Sequence, residues 1–94
     1  MTTSETQPEP DHIRAHRHSV RNRAEIDRSE ACGCFYCLAT FPPTDIQRWT
    51  DDAGEATALC PNCQVDAVIG SASGFSITPE LLKRMHDHWF AIQE

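Results

Sequence analysis

The sequence predicts a small α+β domain stabilised by a structural metal ion, and three observations support this fold class. First, the chain has 94 residues, and a chain this short buries too little surface for a hydrophobic core alone to be strongly stabilising. Second, two Cys-x-x-Cys pairs have the spacing typical of a metal site. Third, the surrounding segments carry patterns typical of a β-hairpin and of amphipathic helices.

The N-terminal third divides into a tail and a predicted helix. Residues 1–10 combine Thr, Ser, Gln and Glu with two prolines, so we expect a disordered tail. We expect residues 11–94 to form a single zinc-binding domain. Its first element is a helix over about residues 12–30, because this segment is rich in Arg, Ala, Glu and His and has neither Gly nor Pro.

The zinc core is expected over residues 32–70. Within it, Ile46–Thr50 and Ala56–Leu59 flank a polar, glycine-containing loop, which predicts an antiparallel hairpin. Pro61 suits the first turn of a following helix, and Gly70 is placed to cap that helix at its end. The second cysteine pair would then lie in the first turn of this helix.

The last predicted element is a helix from Thr78 to about Ile92. Thr78, Pro79 and Glu80 have the cap, first-position and early-acid pattern of a helix start. Apolar residues then recur at helical spacing, which predicts one buried face. They are Leu81, Leu82, Met85, Trp89 and Ile92.

The two cysteine pairs are predicted to hold one structural zinc ion per chain. The ligands are Cys34, Cys37, Cys60 and Cys63, and 22 residues separate the two pairs. Four thiolates form a closed tetrahedral site of the structural kind. The order knuckle, hairpin, helix predicts a treble-clef-like zinc finger, and a zinc ribbon is the alternative if the second pair is itself a knuckle. Zinc is favoured over iron because neither pair is followed by the glycine typical of rubredoxin-like knuckles.

The fifth cysteine, Cys32, is not expected to be a ligand. It lies two residues before Cys34, too close to join the same tetrahedron without displacing a neighbour. We interpret it as a small residue in the turn, and the alternative is a redox or metal-responsive role beside the zinc thiolates.

The charge distribution bears on the kind of partner. The net charge is −6, and residues 31–94 contain three basic against eight acidic side chains, so this part is a poor surface for nucleic acid. A protein partner is therefore favoured. A polyanion could contact only one face of the predicted N-terminal helix, and the alternative is a solvated face with local ion pairs. That face would carry Arg14, Arg17, Arg21 and Arg28.

No stretch approaches the ~20 apolar residues of a membrane span, and the N-terminus lacks the pattern of a secretory signal. We therefore expect a cytoplasmic protein with no membrane partner. Reducing conditions in the cytoplasm disfavour disulfides, so the cysteines are expected to bind metal.

The histidines give little support for an enzyme. His86 and His88 lie two apart on the last predicted helix and face different directions, and no nucleophile can be placed beside them. His12 and His16 lie four apart but have no third ligand. We expect no catalytic residue, and the alternative is an enzyme or enzyme subunit that uses His86, Asp87 or His88.

The aromatic side chains are expected to cover the zinc site and to join the last helix to it, because a small zinc fold needs such a cluster. They are Phe35, Tyr36, Phe41, Trp49, Phe75, Trp89 and Phe90.

Three segments resemble a family of short bacterial proteins usually labelled only "cytoplasmic protein". The segments are CGCFYCLATFPPTDIQRWTD, TALCPNCQVDAVIGSASG and ITPELLKRMHDHWF, and the likeness covers about residues 17–90. It implies a bacterial source, a cytoplasmic location and cysteine ligation of metal, but no activity. The treble-clef order more loosely resembles nuclease domains of the His-Asn-His type. Their catalytic histidine has no counterpart, because the predicted hairpin contains no His.

The sequence thus predicts a noncatalytic zinc-binding module for macromolecular interaction, acting through its N-terminal helix or its aromatic surface. The alternatives are a redox or metal-responsive switch, or a nuclease-like enzyme or enzyme subunit.

Overall fold

The structure, a computed structural model, describes residues 9–52 and 55–90. It is a small α+β domain with antiparallel sheets, as predicted. The helices are α1 (Asp11–His16), α2 (Arg23–Asp27) and α3 (Pro79–Trp89), and the strands are β1 (Cys32–Cys34), β2 (Thr40–Phe41), β3 (Trp49–Asp52), β4 (Glu55–Ala58) and β5 (Val68–Gly70). Residues 1–8, most of the predicted disordered tail, lie outside the described part.

Two small antiparallel sheets form the framework. In the first, the strand order is β2-β1-β5, and Cys32 lies opposite both Phe41 and Gly70. The second is the β3–β4 hairpin, in which Trp49 lies opposite Ala58. The hairpin prediction is confirmed, although β3 begins three residues after Ile46, which is itself buried beside the core. Residues 53–54 of its loop lie outside the described part.

The helix predicted after Cys63 is wrong. The second cysteine pair lies in a turn, and the apolar residues that follow form β5, in which Val68 and Ile69 are fully buried. Both are β-branched, which favours a strand over a helix. Gln64 has a φ of 69°, so the backbone leaves helical geometry just after the turn. Gly70 is extended, ends β5 and precedes a 3-10 turn over Ser71–Ser73, so it is not the C-terminal cap of a helix.

The single helix predicted over about residues 12–30 is also wrong. The chain forms α1, a 3-10 turn over Arg17–Ser19 and the separate helix α2, and Arg21 between them has a φ of 49°. The Asn22 side chain causes the break, because its amide donates to the carbonyls of His18 at 3.0 Å and of Val68 at 2.9 Å. The local bond to His18 and the bond to Val68, 46 residues away, hold the segment bent where its composition favours a helix.

The core lies between the helices and the three-stranded sheet. Helix α3 begins as predicted, with the Thr78 hydroxyl accepting from the Leu81 backbone N–H at 3.1 Å, and it buries Leu82 completely. A Cβ at Gly33 would lie 2.8 Å from side-chain atoms of Ile77 and Leu82, so glycine allows α3 and the segment before it to approach β1 closely. Helix α1 packs against α3, and α2 packs against β4 and β5.

Across residues 9–52 and 55–90, none of the helices combines the length and the apolar character needed to cross a bilayer.

Candidate metal centre

The structure brings the four predicted cysteines together at one point. The first pair follows β1 and the second precedes β5, and the pairing of β1 with β5 places the two pairs side by side. All four Sγ atoms lie within 4.8 Å of one another, with Cys34 to Cys63 and Cys37 to Cys60 both at 3.7 Å. A tetrahedral zinc ion with Zn–S bonds of about 2.3 Å needs sulfurs about 3.8 Å apart. All four cysteines are free of disulfides, so the group fits a metal ion.

Each cysteine pair lies in the same kind of turn, here called a knuckle: knuckle 1 is residues 34–39 and knuckle 2 is residues 60–65. The backbone N–H of Leu38 donates to the Cys34 carbonyl at 2.8 Å, and that of Gln64 donates to the Cys60 carbonyl at 2.9 Å. Leu38 and Gln64 have φ values of 68° and 69°. The two knuckles are therefore close copies of one backbone conformation.

Leu38 and Gln64 occupy the left-handed position that glycine normally fills in such knuckles. A left-handed conformation costs an L-residue about 1–2 kcal/mol. The missing glycine was the sequence argument for zinc over iron, but the chain adopts the left-handed conformation at this position without glycine. The identity of these residues therefore does not discriminate between zinc and iron.

Backbone and side-chain N–H groups point at the sulfurs. The Cys34 sulfur accepts from the Tyr36 backbone at 3.3 Å, and the Cys60 sulfur accepts from the Asn62 backbone at 3.3 Å and the Cys63 backbone at 3.4 Å. Such bonds favour the thiolate form that binds metal.

The Asn62 side chain adds a bond between the knuckles, because its Nδ2 donates to the Cys37 sulfur at 3.4 Å. The sequence did not predict this role, because an Asn between two cysteines of a Cys-x-x-Cys pair carries no pattern that marks it.

The four sulfurs differ in exposure and in proton affinity. Cys34 and Cys60 are fully buried, whereas Cys37 and Cys63 are partly exposed. Burial raises the pKa of Cys34 and, more mildly, that of Cys63. Burial acts in the same direction on Cys37, but hydrogen bonds led by the Asn62 amide outweigh it and lower the pKa of Cys37 to about 7. A bound cation would displace the remaining protons.

Cys32 lies outside the four-sulfur group, as the sequence analysis expected. Its side chain is fully buried in β1, and this burial raises the pKa of its thiol to about 11. Cys32 is therefore a protonated, inaccessible thiol at neutral pH, which makes it a poor candidate for a redox role.

Only part of the aromatic set joins the site to the last helix. The Tyr36 ring meets Phe90 at 4.8 Å between centroids, Phe35 meets it at 5.7 Å, and His86 Nδ1 lies 3.2 Å from the Phe35 carbonyl. These contacts tie knuckle 1 to the end of α3. Trp49 instead lies under the Arg23 guanidinium, whose central carbon is 4.5 Å from the ring centroid.

Three further histidines, His12, His16 and His88, lie where α1 packs against α3. His16 stacks on Trp89 at 4.0 Å and 10°, and His12 meets His88 edge-on at 5.3 Å. Burial lowers the pKa of His16 and that of His12, and His88 lowers both further; Arg84 also lowers that of His12. In the part of the chain that the structure describes, the four cysteines are the one His, Cys, Asp or Glu group that could hold a metal ion.

The predicted polyanion face is not assembled, because no single helix carries its four arginines. Arg14 pairs with Asp11 at 3.3 Å, and Arg17 pairs with Glu9. Arg28 lies on α2's C-terminal side and donates to the Ala24 carbonyl at 3.3 Å.

Comparison of the chain with models of known protein families, with curated proteins and with solved structures found no match.

Proposed function

We propose that this chain is a noncatalytic zinc-binding module with one structural ion per chain, and that it presents knuckle 1 to a protein partner. The observation that carries the proposal is the cluster of four sulfurs at tetrahedral spacing. A site with four protein ligands leaves no position open for substrate, which is the arrangement of structural rather than catalytic zinc. Four thiolates also suit the reducing cytoplasm, where we place the protein.

The finer fold that we propose is ribbon-like rather than a treble clef. In a treble clef the second ligand pair begins a helix, whereas here knuckle 2 leads into β5. Two knuckles of matching backbone at one end of a three-stranded sheet support the ribbon alternative.

The surface of knuckle 1 supports a role in binding protein. Tyr36 and Leu38 flank a ligand cysteine and are 45% and 40% exposed. Leu38 also holds a strained left-handed backbone. Neither the strain nor the exposure of Leu38 stabilises the isolated fold, and strained residues concentrate at functional sites. Tyr is enriched among the residues that carry most of the binding energy in protein interfaces.

The contacts of the α3 residues support this function over an enzyme. His86 contacts the Phe35 carbonyl, Asp87 pairs with Lys83 at 3.2 Å, and His88 packs between His12 and Trp89. Each side chain has a packing or ion-pair role that explains its presence. The burial of Cys32 likewise weighs against a switch that depends on it.

The zinc assignment is tested by native mass spectrometry with elemental analysis on the purified protein. We expect one zinc per chain, lost in the Cys34→Ser and Cys60→Ser variants and kept in Cys32→Ser. Chelation should abolish the cooperative thermal transition, because structural zinc contributes roughly 10–16 kcal/mol of apparent binding free energy. Iron, no metal, or dependence on Cys32 would contradict the proposal.

The interaction surface is tested by photo-cross-linking in cells. A benzophenone-bearing phenylalanine replaces Tyr36 in one variant and Val20, an exposed apolar residue outside the knuckles, in the control. We expect a protein adduct of defined mass from position 36 that disappears when Cys60 is also changed to Ser. The same adducts from both positions would refute a specific surface.

A further inference from the structure

The two knuckles differ at one position that touches the metal ligands. Asn62 is the second intervening residue of its cysteine pair, and Tyr36 holds the matching place in knuckle 1. Asn62 reaches across to the Cys37 sulfur at 3.4 Å, whereas the Tyr36 ring turns to Phe90. Within residues 9–52 and 55–90, Asn62 is the one side chain outside the four cysteines that donates a hydrogen bond to a site sulfur.

The Asn62 hydrogen bond distinguishes the two cysteines of the site that are partly exposed, Cys37 and Cys63. Cys34 and Cys60 are fully buried, so a reagent in solution meets Cys37 and Cys63 first. Of these two cysteines, Cys37 has the side-chain amide of Asn62 as a donor to its sulfur. A hydrogen bond from an N–H group withdraws electron density from a thiolate, and this bond must be broken before the sulfur can attack.

We propose that Cys63 is the modification site of the zinc centre: the thiolate that a soft carbon electrophile attacks first, while Asn62 protects Cys37. This inference rests on the proposed zinc site. In the reaction, a sulfur lone pair forms a C–S bond to the β-carbon of an α,β-unsaturated carbonyl compound. The C=C electron pair moves to the α-carbon, which takes a proton from water, so no leaving group or oxidant is needed.

The modification weakens metal binding at the same step. The product sulfur is a neutral thioether, which is a poorer ligand for Zn²⁺ than the thiolate it replaces. Three thiolates then remain. A metal ion at this centre would join both knuckles. Reaction of one ligand with the electrophile therefore promotes release of zinc, and release of zinc opens the fold. Asn62 is a positioning residue in this scheme, because it acts through the Cys37 sulfur.

The test is a limited pulse of N-ethylmaleimide on the zinc-loaded protein, followed by peptide mapping of each cysteine and by zinc release to a chromogenic chelator. We expect Cys63 to be labelled at least about five-fold faster than Cys37, the ratio that one net hydrogen bond of about 1 kcal/mol produces. In Asn62→Ala this ratio should fall to about one, because Cys37 gains reactivity. In Tyr36→Asn it should also fall, because Cys63 gains the missing donor.

Two controls separate reactivity from unfolding. Cys32 is fully buried and should stay unlabelled in every variant until zinc is lost. Gln47→Ala, at an exposed residue outside the knuckles, should keep the wild-type ratio. Equal labelling in the wild type, labelling of Cys37 first, or an unchanged ratio in Asn62→Ala would overturn the inference while leaving the zinc site intact. A chain that binds no zinc would overturn both.

Discussion

Replacement of Gln64 by glycine should stabilise the zinc-loaded protein by about 1 kcal/mol. Gln64 has a φ of 69°, and a left-handed conformation costs an L-residue about 1–2 kcal/mol. Glycine removes this strain, but it loses about 0.5–1 kcal/mol more backbone entropy on folding. The Gln64 side chain is exposed, so its removal costs little packing.

The assay is thermal unfolding followed by circular dichroism at a fixed free zinc concentration, because the melting temperature of a metal-bound fold depends on that concentration. For a domain of this size, 1 kcal/mol corresponds to a rise in Tm of roughly 4–8 °C. Gln64→Ala keeps the Cβ and should change Tm little. Gln47→Gly, at a position without positive φ, should lower it. If Gln64→Gly lowers Tm as much as Gln47→Gly does, the strain argument is refuted.

The matching change in knuckle 1 separates stability from function. Leu38→Gly relieves the same strain but removes an exposed side chain of the proposed interaction surface. We expect the isolated protein to keep or gain stability and to lose the cross-link from position 36. Stabilising changes that cost function are common where strain serves binding. If Leu38→Gly keeps the cross-link, Leu38 is not part of the proposed interaction surface.

Three further predictions concern the rest of the fold. Burial lowers the pKa of His16, and His88 lowers it further, so the unfolded chain takes up the proton first and the free energy of unfolding should fall as the pH drops below about 6.5. His16→Phe keeps the stack on Trp89, and its free energy of unfolding in urea should fall less between two pH values than that of the wild type. Equal falls in both proteins would contradict this. Asn22→Ala should destabilise the protein by about 3 kcal/mol in urea unfolding, because it leaves the Val68 carbonyl and the Ala58 N–H without partners. A loss of stability below about 1 kcal/mol would show that water replaces the side chain. Gly70→Ala places a Cβ 2.2 Å from Ser29 Oγ and should lower the free energy of unfolding by about 2 kcal/mol. The double variant with Ser29→Gly should be less destabilised than the sum of the two single variants. If the two effects simply add, the predicted clash is ruled out.

Local chemistry explains the parts of the structure that the sequence predicted. The start of α3 is encoded by Thr78 and Pro79, whose cap and ring act within one helical turn. The β3–β4 hairpin follows from short strands around a polar loop. The candidate metal site follows from the spacing within each cysteine pair, which places two sulfurs on one turn whatever the rest of the chain does.

The wrong predictions arose where distant contacts override local preference. Val65, Val68 and Ile69 have the spacing of a helix face, but the pairing of β5 with β1 makes residues 68–70 a strand. The N-terminal segment has helical composition, but its path is set by bonds from Asn22 to backbone 36 and 46 residues away. Asn62 was missed because its partner Cys37 is 25 residues distant.

The contacts of Asn22 also determine which parts of the molecule should unfold together. Within residues 9–52 and 55–90, the hairpin and the three-stranded sheet share no strand pairing. The Asn22 side chain nevertheless accepts from the Ala58 N–H in β4 and donates to the Val68 carbonyl in β5. The segment at the start of α2 therefore links the two sheets. Slow amide exchange should extend from β4 and β5 into the segment around α2, and a peptide that begins at β1 should be a poor substitute for the whole chain.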